Sequence, residues 1–369
     1  MTDLVTEFRD GPTARRLAGA IAAATTQPWT IMEVCGGQTH AIMRYGLDEL
    51  LPPEIELCHG PGCPVCVTPA ETIDAAIALA GQPGVVLATF GDMMRVPGAA
   101  DGDLIAARAR GADVRIVHGP LDAVALAAAE PDLTVVFFAI GFETTAPAIA
   151  LAARRARDLC LKNFCLLTAL VLAPPAMSAI VAAPDNRVQG FLAPGHVATV
   201  AGGDAYAAFA AKWRMPVVVT GFEPLDILDG TLRLVRRLEA GAGGAEIQYD
   251  RAVTPAGNPT ARTLVEGMFE TVDAPWRGLG VIPASGLRLR PEWRDFDART
   301  RFGLAEGAAC ATNRTNLTCR AAEVLRGAIK PPACPAFGTA CAPDRPLGAP
   351  MASSEGACAA YHLYAVSER

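Results

Sequence analysis

The 369-residue chain is poor in aromatic residues (6%) and in charge (19%), and it has no run of lysine or arginine. Its formal net charge is −6. A nucleic-acid partner calls for a basic patch or stripe, so none is expected. The sequence also lacks G-x-x-x-x-G-K-[ST], G-x-G-x-x-G and H-E-x-x-H. Nothing therefore marks a nucleotide site or a zinc protease. The N-terminus has no basic segment leading into an apolar run, so no secretory signal is expected. One uncharged stretch, Phe164 to Ala183, is long enough to suggest a membrane span, but Pro174-Pro175 interrupts it. A strand, a proline turn and a short helix account for it better. The expectation is a cytoplasmic protein without a membrane segment.

What the chain does have is apolar residues, 51% of the total, and eleven cysteines. The first allows sizeable cores. The second, in a reducing compartment, points to metal binding or redox chemistry rather than structural disulfides. Apolar runs alternate with helical patterns, the mark of α/β units with parallel sheets. Strands are expected at Thr30–Cys35, Ile55–Cys58, Val85–Phe90, Val114–Val117, Thr134–Ile140, Phe164–Val171, Val188–Leu192 and Val217–Thr220. "TFGDMMRVPG", "AIGFETTAP" and "VTGFEPLD" form a weak repeat of strand, glycine turn and acidic residue. The expected fold class is α/β, with two related open α/β sheet domains, residues 28–130 and 131–242. Residues 1–27 and 243–369 are expected to form a smaller loop-rich third domain.

Four constellations carry chemistry. "MEVCGGQTHAIMRYGLDELLP" runs a strand into Cys35, two glycines and His40. Thiolate and imidazole both suit iron, copper or zinc, and the glycines let another molecule's backbone come close. "CHGPGCPVCVTP" contains the C-x-x-C pair Cys63 and Cys66 ahead of a helix, a place that favours thiolate; a redox-active dithiol or a metal clip both fit. "GFETTAP" puts Glu143, Thr144 and Thr145 at a strand end. The threonines read as helix caps, which leaves Glu143 unexplained. His196 in "APGHV" fits a structural or a functional role equally well. The tail holds Cys310, Cys319, Cys334, Cys341 and Cys358. Their irregular spacing is poor for zinc fingers and acceptable for a four-thiolate iron–sulfur cluster. Cys160 and Cys165 read as inert core residues. One alternative from another class stays open: a thiol-disulfide oxidoreductase with a structural zinc site.

Taken together these blocks, with "FLAPGHV", "GFEPLD", "WRGLGVI", "EVLRG", "CPAFGTACAP" and "SSEGACAAY", resemble the HypD family, the scaffold proteins of [NiFe]-hydrogenase maturation. The resemblance covers nearly the whole chain from about residue 30. It implies two related α/β domains and a third domain with a [4Fe–4S] cluster. It implies a HypC-type small chaperone and a HypE-type cyanide donor as partners, and an Fe(CN)2CO group as the product of assembly. By the same resemblance Cys35 is the iron-binding thiol, with His40 binding iron or orienting the site, and Cys63 and Cys66 are the redox-active dithiol. The chain departs from the family pattern at "TCRAAEVLRG", where Ala321-Ala322 stand in place of Cys-Gly. Cys319, two residues earlier, is then expected to join Cys334, Cys341 and Cys358 as the fourth cluster ligand.

Overall fold

A computed structural model describes residues 6–100, 102–304 and 318–364. Eleven strands are found among them. They are β1 (Trp29–Glu33), β2 (Ile55–His59), β3 (Val85–Thr89), β4 (Val114–Ile116), β5 (Thr134–Gly141), β6 (Phe164–Val171), β7 (Gly190–Pro194), β8 (Pro216–Thr220), β9 (Gly244–Ile247), β10 (Phe269–Trp276) and β11 (Gly280–Leu289). All eight expected strands form, within two residues of the expected ends.

The strands make two sheets, β2-β1-β7-β8-β9 and β10-β11-β6-β5-β3-β4. The first is parallel throughout. The second is parallel from β6 to β4 and is extended by the antiparallel hairpin β10–β11. The central strands are apolar along their whole length: "TVVFFAIG" of β5 is buried from Val135 onward, and every residue of β8 is buried. Such continuous burial requires helices on both faces, as in parallel sheets generally. The longest helix, Pro224–Glu239, starts with proline in its first turn and presents Ile227, Leu228, Leu232, Leu234 and Val235 to the first sheet. Helix Gly11–Ala24, capped by the Asp10 carboxylate accepting from Thr13 N at 2.8 Å, packs in the same core.

The division at 130/131 does not match this pairing. Strands on both sides of that boundary enter both sheets: β1 and β2 pair with β7 and β8, while β3 and β4 pair with β5 and β6. Residues 243–369 are likewise shared out, since β9 completes one sheet and β10–β11 the other. A strand is visible in its local pattern. Its neighbour is not, and the usual adjacency of consecutive strands fails where the chain crosses from β2 to β3 and back from β6 to β7. The apolar stretch from Phe164 forms β6 and then helix Ala173–Ala182. Among the described residues no helix is long and apolar enough to cross a membrane. Cys165 is buried as expected; Cys160 instead lies exposed on a left-handed turn (φ 55°).

In each sheet the strand order reverses once within the parallel part, between β1 and β7 in the first and between β3 and β5 in the second. Ligand sites of open α/β sheets gather at the carboxyl ends of strands beside such reversals. Cys35 follows β1 and His196 follows β7; Asp92 follows β3 and Glu143 follows β5.

Candidate functional site

Cys35 stands at the N-cap of helix Gly36–Tyr45 and is 3% exposed. Its backbone N–H donates to Glu33 Oε2 at 2.8 Å. Glu33 is fully buried, and its other oxygen accepts from the Thr39 hydroxyl and lies 2.7 Å from His59 Nδ1. His59 Nε2 in turn lies 3.1 Å from the Tyr361 hydroxyl. A buried carboxylate is tolerable only when so fully engaged. It fixes the thiol's backbone from β1, β2 and the C-terminal helix Ala357–Tyr364 at once. Burial pushes the Cys35 thiol far up, and the nearby Glu33 and Glu355 carboxylates push it the same way. A cation at the sulfur would reverse that balance, so a metal bound there would displace the thiol proton.

Across the β1/β7 reversal, His196 Nδ1 lies 3.8 Å from Cys35 Sγ. Burial lowers the His196 pKa to about 4, so the ring is neutral and keeps a free lone pair at neutral pH. Phe222, after β8, packs on it with ring centroids 5.0 Å apart. Thiol and neutral imidazole are a donor pair suited to iron. His40 sits elsewhere: its Nε2 lies 3.2 Å from the Tyr364 hydroxyl, tying its helix to the C-terminal one. The imidazole beside the thiol is thus His196, whose role the sequence pattern leaves undecided.

Cys63 and Cys66 are both buried and paired as a disulfide, with Cα atoms 5.3 Å apart. Cys63 is the N-cap of the short helix Pro64–Val67, and its sulfur accepts from Cys66 N at 3.3 Å. The loop carrying them is pressed against the Cys35 loop. A Cβ on Gly62 would lie 2.1 Å from Cys35 N, and Gly36 N donates to Gly62 O at 3.1 Å. The tail closes the arrangement from the second sheet's side. Ser353 Oγ lies 3.5 Å from Cys63 Sγ and donates to Asp92 Oδ2 at 3.0 Å; Ser354 Oγ donates to the same oxygen at 3.2 Å.

Glu143 Oε1 accepts from Ala173 N at 2.9 Å, whereas Oε2 is buried with no partner. Desolvation raises its pKa to about 7. Thr144 is half-buried beside it. Thr145 is the N-cap of helix Ala146–Asp158 but makes no side-chain cap hydrogen bond, so capping does not account for these threonines. A carboxyl whose pKa is raised on folding stabilises the fold fully below its unfolded value, near 4.5, and loses that contribution as pH rises through about 7. Glu143→Gln keeps the acceptor for Ala173 N and removes the titration. Its stability relative to wild type is expected to increase between pH 5 and 8, by about 1.4 kcal/mol for each tenfold gain in proton affinity that folding confers on the carboxyl. Parallel stability–pH curves from urea unfolding of the two proteins would contradict the assignment.

Cys319, Cys334, Cys341 and Cys358 all line one pocket, with Phe337, Gly348 and Met351. The wall is tight at Gly348, where a Cβ would meet Cys319 Sγ at 2.7 Å. Leu347 N donates to Cys341 Sγ at 3.3 Å, the kind of contact that supports a thiolate. Among the described residues no three His, Cys, Asp or Glu side chains converge closely enough to hold one metal ion. Four cysteine thiols lining one pocket are a donor set that suits a four-thiolate iron–sulfur cluster. Cys310 lies outside the described residues.

The comparisons agree with one another. The family model described as "HypD: Hydrogenase formation hypA family" matches residues 12–365. The Hydrogenase maturation factor HypD of Azotobacter vinelandii is 50% identical over 368 residues, which cover 98% of this chain and 96% of that protein. The factor of the same name from Escherichia coli (strain K12) is 46% identical over 355 residues, covering 96% and 94%. That of Cupriavidus necator is 43% identical over 369 residues, covering 98% and 96%.

Proposed function

Since the chain belongs to the HypD family, we propose that it is a [NiFe]-hydrogenase maturation protein, a scaffold on which an Fe(CN)2CO group is assembled together with a HypC-type small chaperone and a HypE-type cyanide donor. The observation that supports this most is the joining of three elements at one place: the Cys35 thiol, the Cys63–Cys66 pair and the Ser353–Ser354 loop. Iron, the cargo, binds at Cys35 with His196 facing it. Gly36 lets the backbone of Glu355 pack against the loop, since a Cβ there would lie 2.6 Å from Glu355 O. His40 orients the helix that begins at the thiol. Glu143, with Thr144 beside it, handles protons near the reacting groups. The Cys63–Cys66 pair stores two electrons and two protons when reduced to the dithiol.

A [4Fe–4S] cluster would be held by Cys319, Cys334, Cys341 and Cys358, and when bound it supplies one-electron exchange. Cys319→Ala is expected to lose most of its iron after anaerobic reconstitution, and with it the broad visible absorbance. The Cys310→Ala variant is expected to keep both. The reverse outcome overturns the assignment of Cys319. The function itself is tested by expressing the chain in a host deleted for its own HypD-family gene: restored hydrogenase activity is expected, and failure by a folded, iron-loaded protein contradicts the proposal.

A further inference from the structure

The Cys63–Cys66 disulfide lies in the interior, with Cys63 3% and Cys66 1% exposed. Reducing such a pair takes up two protons and oxidising it gives them back. Burial disfavours the thiolate form, so a buried thiol that reacts needs a route for its proton. Ser353 is placed to supply one. A hydroxyl has one donor and two acceptor lone pairs. Ser353 Oγ donates to Asp92 Oδ2 at 3.0 Å and accepts from Glu355 N at 3.2 Å. One lone pair is left, and Cys63 Sγ lies 3.5 Å away. In the disulfide that sulfur carries no proton; in the dithiol it does, and the serine can accept it. Asp92 Oδ2 also accepts from Ser354 Oγ at 3.2 Å, which holds the carboxylate against the loop. Ser353 is 1% exposed, whereas Asp92, in the first turn of the 3-10 helix Gly91–Arg95 that follows β3, is half-buried. Two hydrogen-bond steps thus lead from the buried sulfur to a carboxylate that meets solvent.

We propose that Ser353 and Asp92 form the proton relay of Cys63: Ser353 exchanges a proton with the sulfur, and Asp92 positions the serine and passes the proton to and from solvent. The inference rests on the reading of Cys63 and Cys66 as a redox-active pair. With a dithiol as reductant the step runs as follows. The reductant's thiolate attacks Cys66 Sγ. The Cys63–Cys66 bond breaks, and its electron pair stays on Cys63 Sγ, which already accepts from Cys66 N at 3.3 Å; a donor aimed at this sulfur favours its charged form. Ser353 gives its hydroxyl proton to that sulfur while Asp92, protonated from solvent, gives one to the serine oxygen. The reductant's second thiol loses its proton to solvent and attacks the reductant's first sulfur. That releases Cys66, which takes a proton from solvent. One disulfide has opened and one has closed; two electrons and two protons have moved to the protein. Oxidation of the dithiol is the reverse, with the Cys63 proton leaving through Ser353 to Asp92.

The test is thiol–disulfide exchange of the full chain with dithiothreitol under anaerobic conditions. Samples are quenched by alkylation, and the state of Cys63 and Cys66 is read by mass spectrometry. Rate constants are measured in both directions, reduction by dithiothreitol and closure by its cyclic disulfide. Ser353→Ala breaks the chain in the middle. Asp92→Asn keeps an acceptor for both serine hydroxyls but cannot take up the proton. Each variant is expected to slow both directions by the same factor, about a hundredfold, the lower end of what positioned acid–base groups contribute. The ratio of the two rate constants, which is the exchange equilibrium, is expected to stay at the wild-type value. Wild-type rates in folded Asp92→Asn would overturn the inference. So would slowing in one direction alone, because a shifted equilibrium means that these residues stabilise one state of the pair and do not carry its proton. Asp92→Asn decides the matter by itself if Ser353→Ala fails to fold. If the wild-type disulfide does not exchange at all, the redox reading of the pair fails first, and this inference falls with it.

Discussion

Cys35→Ala should reduce hydrogenase maturation to the background of a strain lacking the gene, while leaving a folded protein with its full cluster iron. The fold is expected to survive because the bond that anchors the loop uses the backbone N–H of residue 35, donated to Glu33, which alanine retains. The helix it starts has no side-chain cap to lose. A stability change of about 1 kcal/mol, typical of single substitutions, is expected from urea unfolding. Loss of the sulfur removes the thiol beside His196 and with it the proposed iron anchor. Retained maturation would show that the cargo is held elsewhere. A variant that fails to fold would leave the role of the sulfur to Cys35→Ser, which keeps a polar atom in place but offers iron a poorer, harder ligand and is expected to fail in maturation as well.

Cys63→Ser and Cys66→Ser should each lower maturation by a comparable amount for a different reason. Serine at position 63 is a good N-cap, and its hydroxyl can take over the hydrogen bond that Cys66 N now donates to Cys63 Sγ. The short helix is kept; the two-electron pair is not. Neither residue lines the four-cysteine pocket, so cluster absorbance should stay at the wild-type level. Loss of that absorbance in either variant would put the pair in the cluster's coordination shell, and normal maturation would remove its redox role.

These variants show what a sequence reader can and cannot see. Cys35 and the C-x-x-C pair are legible because their chemistry is local: a strand end, glycines, a helix start. The same holds for eight of the nine parallel strands, whose apolar runs are self-evident; β9, "GAEI", is half-buried throughout and carries no such run. His196 is different. It becomes significant only because β7 pairs with β1, bringing residues 161 positions apart to 3.8 Å, and pairing partners leave no local trace. The interleaving of the two sheets is hidden for the same reason. Closeness to Cys35 in sequence leaves His40 either binding iron or orienting the site, and its helix turns it toward Tyr364. Cys319, the proposed fourth cluster ligand, is within reach of sequence because three cysteines in blocks that resemble the family call for one more; all four line one pocket.

The central claim is that iron carrying cyanide and carbon monoxide is built on Cys35. The most direct measurement is the infrared spectrum of wild-type and Cys35→Ala protein, each isolated anaerobically from a host producing all the maturation partners. In the region where metal-bound cyanide and carbon monoxide absorb and protein does not, wild type is predicted to show two cyanide bands and one carbonyl band, and Cys35→Ala none. Equal bands in the two proteins, or none in folded wild type, would contradict the account.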